Sequence, residues 1–209
     1  MLTVHHLRKS QSERIVWLCE ELGIDYELRL YDRMESGEAP PEYKALHPIA
    51  TAPIITDGDL ALGESGAIVE YIDARRGGGR LSPAPDDPDF AQHLFWLHYA
   101  NATFMANMMV TLGVQMAGGD TQSHFVAARQ KRAWHMIEGQ LGKTDFLGGR
   151  NLTTADIMMV FLLTTVRMFV PEPLDDRPNT RAYLKRIGER PAYRSAMAKA
   201  EPGMEPVLT

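Results

Sequence analysis

Three short stretches hold side chains whose types and spacing could do chemistry. The first is Ser10-Gln11-Ser12, which leaves a strand-like opening and enters a helix marked by Ile15, Leu18, Cys19 and Leu22 at helical spacing. Two hydroxyls therefore stand beside the N–H groups of a first helical turn, which have no intrahelical partner and carry the positive end of the dipole. Such hydroxyls cap the helix or hold an anion, and the local sequence leaves both readings open. The second stretch is Glu64-Ser65, opening a helix that continues through Ile68, Val69, Tyr71 and Ile72. A carboxylate and a hydroxyl at a helix start suit an amino-acid head group, the first on its ammonium and the second, with free N–H groups, on its carboxyl. Plain N-capping by either residue is the competing reading. The third is Ala52-Pro53. Proline donates nothing to a ladder, so Pro53 is an odd first residue for a hydrogen-bonded strand. A cis bond there would turn the backbone of Ala52 outward, towards an extended ligand; a trans proline in a loop is the ordinary alternative.

The elements that must position these groups fall into two unlike parts. "MLTVHHL" reads as a strand, the helix from about Ser12 to Leu22 follows, and Gly23 closes it. "DYELRLYD" alternates as a second strand, and a βαβ start of this kind favours a parallel pair. "RMESGEAPPEY" reads as a loop, and "APIITDGDLALGES" as two short strands around Asp57-Gly58. The helix from Glu64 then stops in the Gly- and Pro-rich run "RRGGGRLSPAPDDP", the expected boundary. This first part reads βαβ–ββα, a small α/β domain of thioredoxin type. Expected limits are residues 1–76 for that domain, 77–86 for a linker and 87–209 for an all-helical domain. Within the last, "DFAQHLFWLHYANATFMANMMVTLGVQMA" reads as one long helix or one broken near Gly113. "TTADIMMVFLLTTVRMFV" is apolar nearly all round and is expected to be the buried centre of a bundle. Thr153 and Asp156 form a capping box at its start, with Leu152 and Ile157 as a hydrophobic staple.

Bulk composition narrows the function classes. The chain has 209 residues and a net charge of −5, which argues against nonspecific binding to nucleic acid or an anionic membrane. A single cysteine, Cys19, excludes an internal disulfide and any paired-cysteine redox or zinc motif. It lies on the apolar helix face and reads as core. No basic segment followed by an apolar signal core stands at the N-terminus, and no apolar run reaches membrane-spanning length, so a reduced, cytoplasmic setting is expected.

The order of these parts resembles the glutathione transferase family, and the resemblance covers essentially the whole chain. Ser10-Gln11-Ser12, Ala52-Pro53-Ile54 and Glu64-Ser65-Gly66-Ala67-Ile68 carry it, together with the linker, the helical half and the capping box. The match is to a bacterial member of serine type. It implies that glutathione is the co-substrate, without a metal, and that Glu64 and Ser65 hold its γ-glutamyl end. It also implies a cis Pro53, with the backbone of Ala52 pairing with the cysteinyl part. A serine before the first helix then stabilises the thiolate, Ser10 matching that place best with Ser12 as the alternative. The energetics suffice. Lowering a thiol pKa by about two units needs roughly 2.7 kcal/mol, and one hydrogen bond to a charged group contributes about 1.5–3 kcal/mol.

One departure concerns the glycyl carboxylate. Relatives often carry a basic or amide residue just before the proline pair, where this chain has Thr51; Lys44 is a possible substitute or simply a surface lysine. By the resemblance a hydrophobic electrophile sits between the two parts, against the first long C-terminal helix. Tyr99, Phe104, Met105 and Met108 are the candidates for its wall, with bundle packing as their other role. The implied activity is conjugation of glutathione to that electrophile. The alternatives are glutathione-dependent peroxide or disulfide reduction, and a noncatalytic interaction module. A homodimer is expected, with neither nucleic acid nor membrane as partner.

Overall fold

The structure, a computed structural model, describes residues 1–209 and divides into two compact units. The first comprises Met1–Leu81 together with Gly188–Pro206, and the second Ser82–Ile187 together with Val207–Thr209. The break after Leu81 falls inside the expected linker. The expected helical domain over 87–209, however, does not stay together, because residues 188–206 join the first unit. Its last helix packs Tyr193 on Trp17 of the first helix of the chain, a pairing that adjacent sequence cannot reveal.

The first unit is built on a four-stranded sheet in the order β2-β1-β3-β4, with β1 Leu2–Leu7, β2 Glu27–Tyr31, β3 Ile54–Asp57 and β4 Leu60–Gly63. β1 and β2 run parallel around helix α1, Glu13–Leu22, while β3 pairs antiparallel with both β1 and β4. The hairpin turns on Gly58-Asp59, and Gly58 has the positive φ of 62° that a two-residue loop requires at this place. Gly23, at φ 62°, closes α1 as expected. The proline-rich segment contains one short helical turn, α2 Pro41–Lys44, where a loop was expected; Pro41 supplies the fixed φ of a first helical position. Helix α3, Ser65–Ile72, runs on into a π-helical turn over Asp73–Gly77.

Every residue of β1 is buried, so both faces of this strand are covered. The period-two alternation sends His5 and Leu7 to one face and His6 to the other. Leu7 packs with Tyr43 and Ile54, and His5 bonds Tyr31 at 3.0 Å and Thr56 at 3.1 Å. On the opposite face lies α1, and against α1 packs α9, Pro191–Ala200. Trp17 and Tyr193 meet edge to face with centroids 5.3 Å apart. Glu20 accepts from Ser195 and Lys199, each at 2.6 Å, and Glu21 pairs with Arg190.

The second unit is helical. α4 (Phe90–Tyr99) and α5 (Ala106–Met116) are joined without a break by a π-helical stretch over Ala100–Met105. Continuity holds through Gly113, and the irregularity lies at 100–105 instead. α6 (His124–Leu141) and α8 (Pro178–Glu189, within this unit to Ile187) accompany α7 (Thr154–Leu163). All ten residues of α7 are buried, as its unbroken apolar character requires. Its capping box is present, and Leu152 and Ile157 are both buried. Asp156 does more than cap. Its carboxylate also accepts from the amide of Leu147 at 2.9 Å and the hydroxyl of Tyr183 at 3.0 Å. No helix is long and apolar enough to cross a membrane.

Candidate active site

The turn between β1 and α1 answers the question of the two serines. The Ser10 carbonyl accepts the N–H of Glu13, and the Ser10 hydroxyl accepts the N–H of Ser12 at 3.3 Å. Ser10 thus caps the turn that starts the helix, and the residue as a whole is 6% exposed. Ser12 is the N-cap residue of α1, with its carbonyl accepting from Ile15 and Val16, but its side chain makes no cap bond. Its hydroxyl, with no exposure at all, turns back to accept the amide of Leu7 at 3.1 Å, and it lies 2.8 Å from His6 Nδ1 and 2.7 Å from the Ser10 hydroxyl. The two side chains therefore have different places. Ser10 is the outer of the two and Ser12 lies in the interior, so of the two readings open for these hydroxyls, capping of α1 does not apply to the Ser12 side chain.

Behind Ser12 the chain of hydrogen bonds continues. His6 Nε2 lies 3.0 Å from Glu201 Oε1, and that same oxygen accepts the amide of Lys9 at 2.5 Å. His6 and Glu201 are 0% and 1% exposed. Glu201 stands immediately after α9, and the closeness of α9 to α1 is what brings it here. Burial alone would raise its pKa, but hydrogen bonds from His6 and Lys9, with Arg8 nearby, hold it below the usual carboxylate value. Arg8 reaches Glu201 Oε2 at 3.9 Å and pairs with Asp32 at 3.3 Å. Lys9, just before Ser10, sits at φ 54°, a strained place for a residue with a Cβ, and its bond to Glu201 secures it there.

The same turn is tied to the start of α3. Arg14, 1% exposed, donates through one nitrogen to Gln11 Oε1 at 2.7 Å and to the Ser65 hydroxyl at 3.2 Å. Ser65 is itself buried, and its hydroxyl lies 3.5 Å from Gln11 Oε1. Burial lowers the Arg14 pKa to about 9, against the attraction of Glu13. Glu64 is exposed and makes no side-chain cap bond, so N-capping by its carboxylate is not its role. It holds φ 67°, in the left-handed region, so the carboxylate stands outward from a strained backbone. The Ala52–Pro53 peptide is cis, and the ladder of β3 begins just beyond it at Ile54.

Other candidates separate. Cys19 is fully buried, and burial pushes its thiol pKa far up, so it is inert core. Lys44 is exposed and paired with Glu38 at 2.7 Å. Phe104 and Met108 are interior residues of the helical unit, Phe104 lying edge to face on Trp134 at 5.2 Å. Tyr99 is 6% exposed and directs its phenol to the carbonyl of Ala133 at 3.5 Å. Of the four proposed electrophile-wall residues only Met105 is half-buried. The sequence reading missed His6, Gln11, Arg14 and Glu201. Arg14 had left a trace, since it precedes Leu18 and Leu22 at four-residue spacing on the apolar face. Glu201 had left none.

A thioredoxin-like sheet with a cis proline, a hydroxyl pair at the first helix and a helical unit is the two-part arrangement expected from the resemblance. Comparison with known proteins carries this to a family. Residues 1–74 match the model for the glutathione S-transferase N-terminal domain and residues 104–191 that for the C-terminal domain. Glutathione S-transferase 3 of Schizosaccharomyces pombe is 29% identical over 96% of this chain and 88% of its own. A crystal structure of a glutathione S-transferase from Actinobacillus pleuropneumoniae superposes with a TM-score of 0.88 at 35% identity, covering 98% of this chain and 95% of that one. The theta-class enzyme of Xanthomonas axonopodis pv. citri, solved with glutathione bound, shares the fold at a TM-score of 0.72 and 24% identity, over 93% and 96% of the two chains. The chain belongs to the glutathione transferase family, whose members are enzymes that use glutathione as substrate.

Proposed function

We propose that this enzyme ionises the thiol of glutathione and conjugates it to a hydrophobic electrophile, as a serine-type transferase with Ser10 at the thiolate. The observation that carries the reading is the division of labour between the two hydroxyls. Ser12 is sealed in the interior by Leu7, His6 and Ser10, whereas Ser10 is the outer of the two, 6% exposed as a residue against none for Ser12. In this reading Glu64 takes the ammonium of the γ-glutamyl group. Ser65 and the α3 N–H groups take its carboxyl, with Arg14 fixing the Ser65 hydroxyl. The cis Ala52–Pro53 bond supports backbone pairing of Ala52 with the cysteinyl part. The inertness of Cys19 supports chemistry on the glutathione sulfur, not on a protein thiol. Met105 is the one wall candidate retained for the electrophile, since Tyr99, Phe104 and Met108 serve packing.

The test is a substrate panel run on protein retained by immobilised glutathione. Turnover of chloro-nitroaromatics with formation of the thioether is the expected result. Turnover confined to hydroperoxides or mixed disulfides would assign the enzyme to glutathione-dependent reduction and defeat the conjugation reading.

A further inference from the structure

Four buried side chains are joined in series from the β1–α1 turn into the α1 side of the sheet: Ser10, Ser12, His6 and Glu201. Their spacings are 2.7, 2.8 and 3.0 Å, each a hydrogen bond. The directions of these bonds follow from the groups around them. Hydrogen bonds favour the ionised form of Glu201, so Oε1 accepts from both the Lys9 amide and His6, and the proton between it and His6 sits on Nε2. A neutral His6 then presents Nδ1 as an acceptor. Ser12 takes the amide proton of Leu7 on its oxygen; its own proton has two acceptors in reach, Nδ1 at 2.8 Å and the Leu7 carbonyl at 3.3 Å, and the shorter contact assigns it to Nδ1. Ser10 in turn gives its proton to Ser12. The resting chain therefore donates inward throughout, and Ser10 offers the outside an oxygen lone pair. That polarity suits an arriving thiol. It is the wrong polarity for a thiolate, which needs a donor.

We propose that these residues form a proton relay that carries the thiol proton of glutathione inward and stores it on His6. The inference rests on Ser10 being the residue at the sulfur. The glutathione S–H bond breaks as its proton passes to Ser10 Oγ, the Ser10 proton passes to Ser12 Oγ, and the Ser12 proton passes to His6 Nδ1. One S–H bond is lost and one N–H bond is gained, with no other reactant. Every donor in the chain is then reversed. Imidazolium Nδ1–H donates to Ser12, Ser12 to Ser10, and Ser10 outward to the thiolate sulfur. The step that creates the thiolate is the step that turns the Ser10 hydroxyl towards it.

Glu201 makes storage at a buried site feasible, because an imidazolium out of water needs a paired counter-charge. Hydrogen bonds keep this carboxylate ionised in spite of its burial. The charged groups against the pair are Arg8, 3.9 Å from the second Glu201 oxygen, and Asp32, which holds Arg8 on its outer side. Ser10 is the catalytic residue in this scheme. Ser12, His6 and Glu201 act through it as positioning residues.

The wild-type enzyme itself provides the first test. Glutathione is titrated calorimetrically in buffers of different ionisation heat, and bound thiolate is measured in parallel by its ultraviolet absorbance. Thiolate should form without a matching proton entering the buffer; one proton released for each thiolate formed overturns the relay. The second test compares variants of unchanged fold by circular dichroism. His6→Asn keeps a polar partner for Ser12 but cannot store a proton, and Glu201→Gln keeps the shape but removes the counter-charge. Each should raise the pKa of the bound thiol by a unit or more, about a tenfold fall in thiolate at neutral pH. The affinity for glutathione measured where the thiol is protonated should stay the same. Ser10→Ala separates this inference from the one beneath it. If Ser10→Ala alone raises the thiol pKa, the relay fails and the Ser10 reading stands. If Ser10→Ala also leaves it unmoved, the Ser10 reading itself has failed.

Discussion

At the scale of the residue, the chemistry is a matter of which hydroxyl has a free side. In the proposed function that side belongs to Ser10, a residue 6% exposed, and not to Ser12, which is fully buried. Ser10→Ala is therefore expected to lower conjugation at neutral pH by about tenfold to a hundredfold, the kinetic equivalent of the roughly 1.5–3 kcal/mol of a hydrogen bond to a charged group. Part of the loss should return as pH rises, and a pH–rate profile checks it. Ser12→Ala leaves the Leu7 amide without its acceptor in the interior, at a cost of about 1–3 kcal/mol in stability, read by urea denaturation. Glu64→Gln and Ser65→Ala should each weaken glutathione binding by about 1.5–3 kcal/mol in isothermal titration, because each removes a charge-assisted contact. Glu201 has a depressed pKa in the folded protein. Its contribution to stability is complete above the ordinary value of 4.5 and is lost as pH falls through the lower folded value. Glu201→Gln should accordingly flatten the acid limb of the stability profile below that pH, as followed by urea denaturation.

At the scale of the element, the start of α7 is a structural device and the start of α1 a chemical one, although both present hydroxyl and acid side chains. The difference is burial and satisfaction. Asp156 is fully buried, which raises its pKa, yet it accepts from Thr153, Leu147 and Tyr183. Removing the Thr153 side chain loses one cap, worth about 1–2 kcal/mol. Asp156→Ala strands the amides of Thr153 and Leu147 and takes one hydrogen bond from the Tyr183 hydroxyl, and should cost about 3–5 kcal/mol, more than a simple capping box suggests. Chemical denaturation measures both, and the pKa of the bound thiol should not move in Thr153→Ala. A shifted thiol pKa in that variant would make the box part of the active site.

At the scale of the whole molecule, the first unit is completed by a segment from the far end of the chain. Trp17 and Tyr193, both 2% exposed, are the aromatic centre of the α1–α9 packing. Tyr193→Ala should destabilise the protein by about 3–5 kcal/mol, the usual cost of emptying a large aromatic site. It should also make Cys19 reactive to a thiol reagent on warming before the helical unit melts, a sequence visible by labelling alongside circular dichroism. The helical unit exposes Leu94, Phe95, Met109, Val110 and Met136, and Phe95 and Met136 line one shallow cavity. For the homodimer expected from the sequence, Phe95 and Met136 are the contact we propose to test. Sedimentation should give twice the mass of one 23.4 kDa chain, and Phe95→Glu should reduce it towards one.

The sequence by itself determined what depends on neighbours along the chain. Gly23 as a left-handed cap, Gly58 in a two-residue hairpin loop, and the box at Thr153 and Asp156 follow from backbone chemistry within a few residues. So does the order βαβ–ββα, since alternation and helical spacing are local patterns. The two serines and the Glu64-Ser65 pair were equally legible, because unpaired N–H groups at a helix start are a local property. Tertiary structure decided which serine faces outward, because that depends on what lies behind them. His6 had read only as part of a strand, and its face of the sheet acquires meaning when Glu201, 195 residues later, arrives against it. The same distance hid the membership of α9 in the first unit. Contacts between segments so far apart leave no periodicity or spacing in the sequence, and only burial of both partners in one core brings them into register.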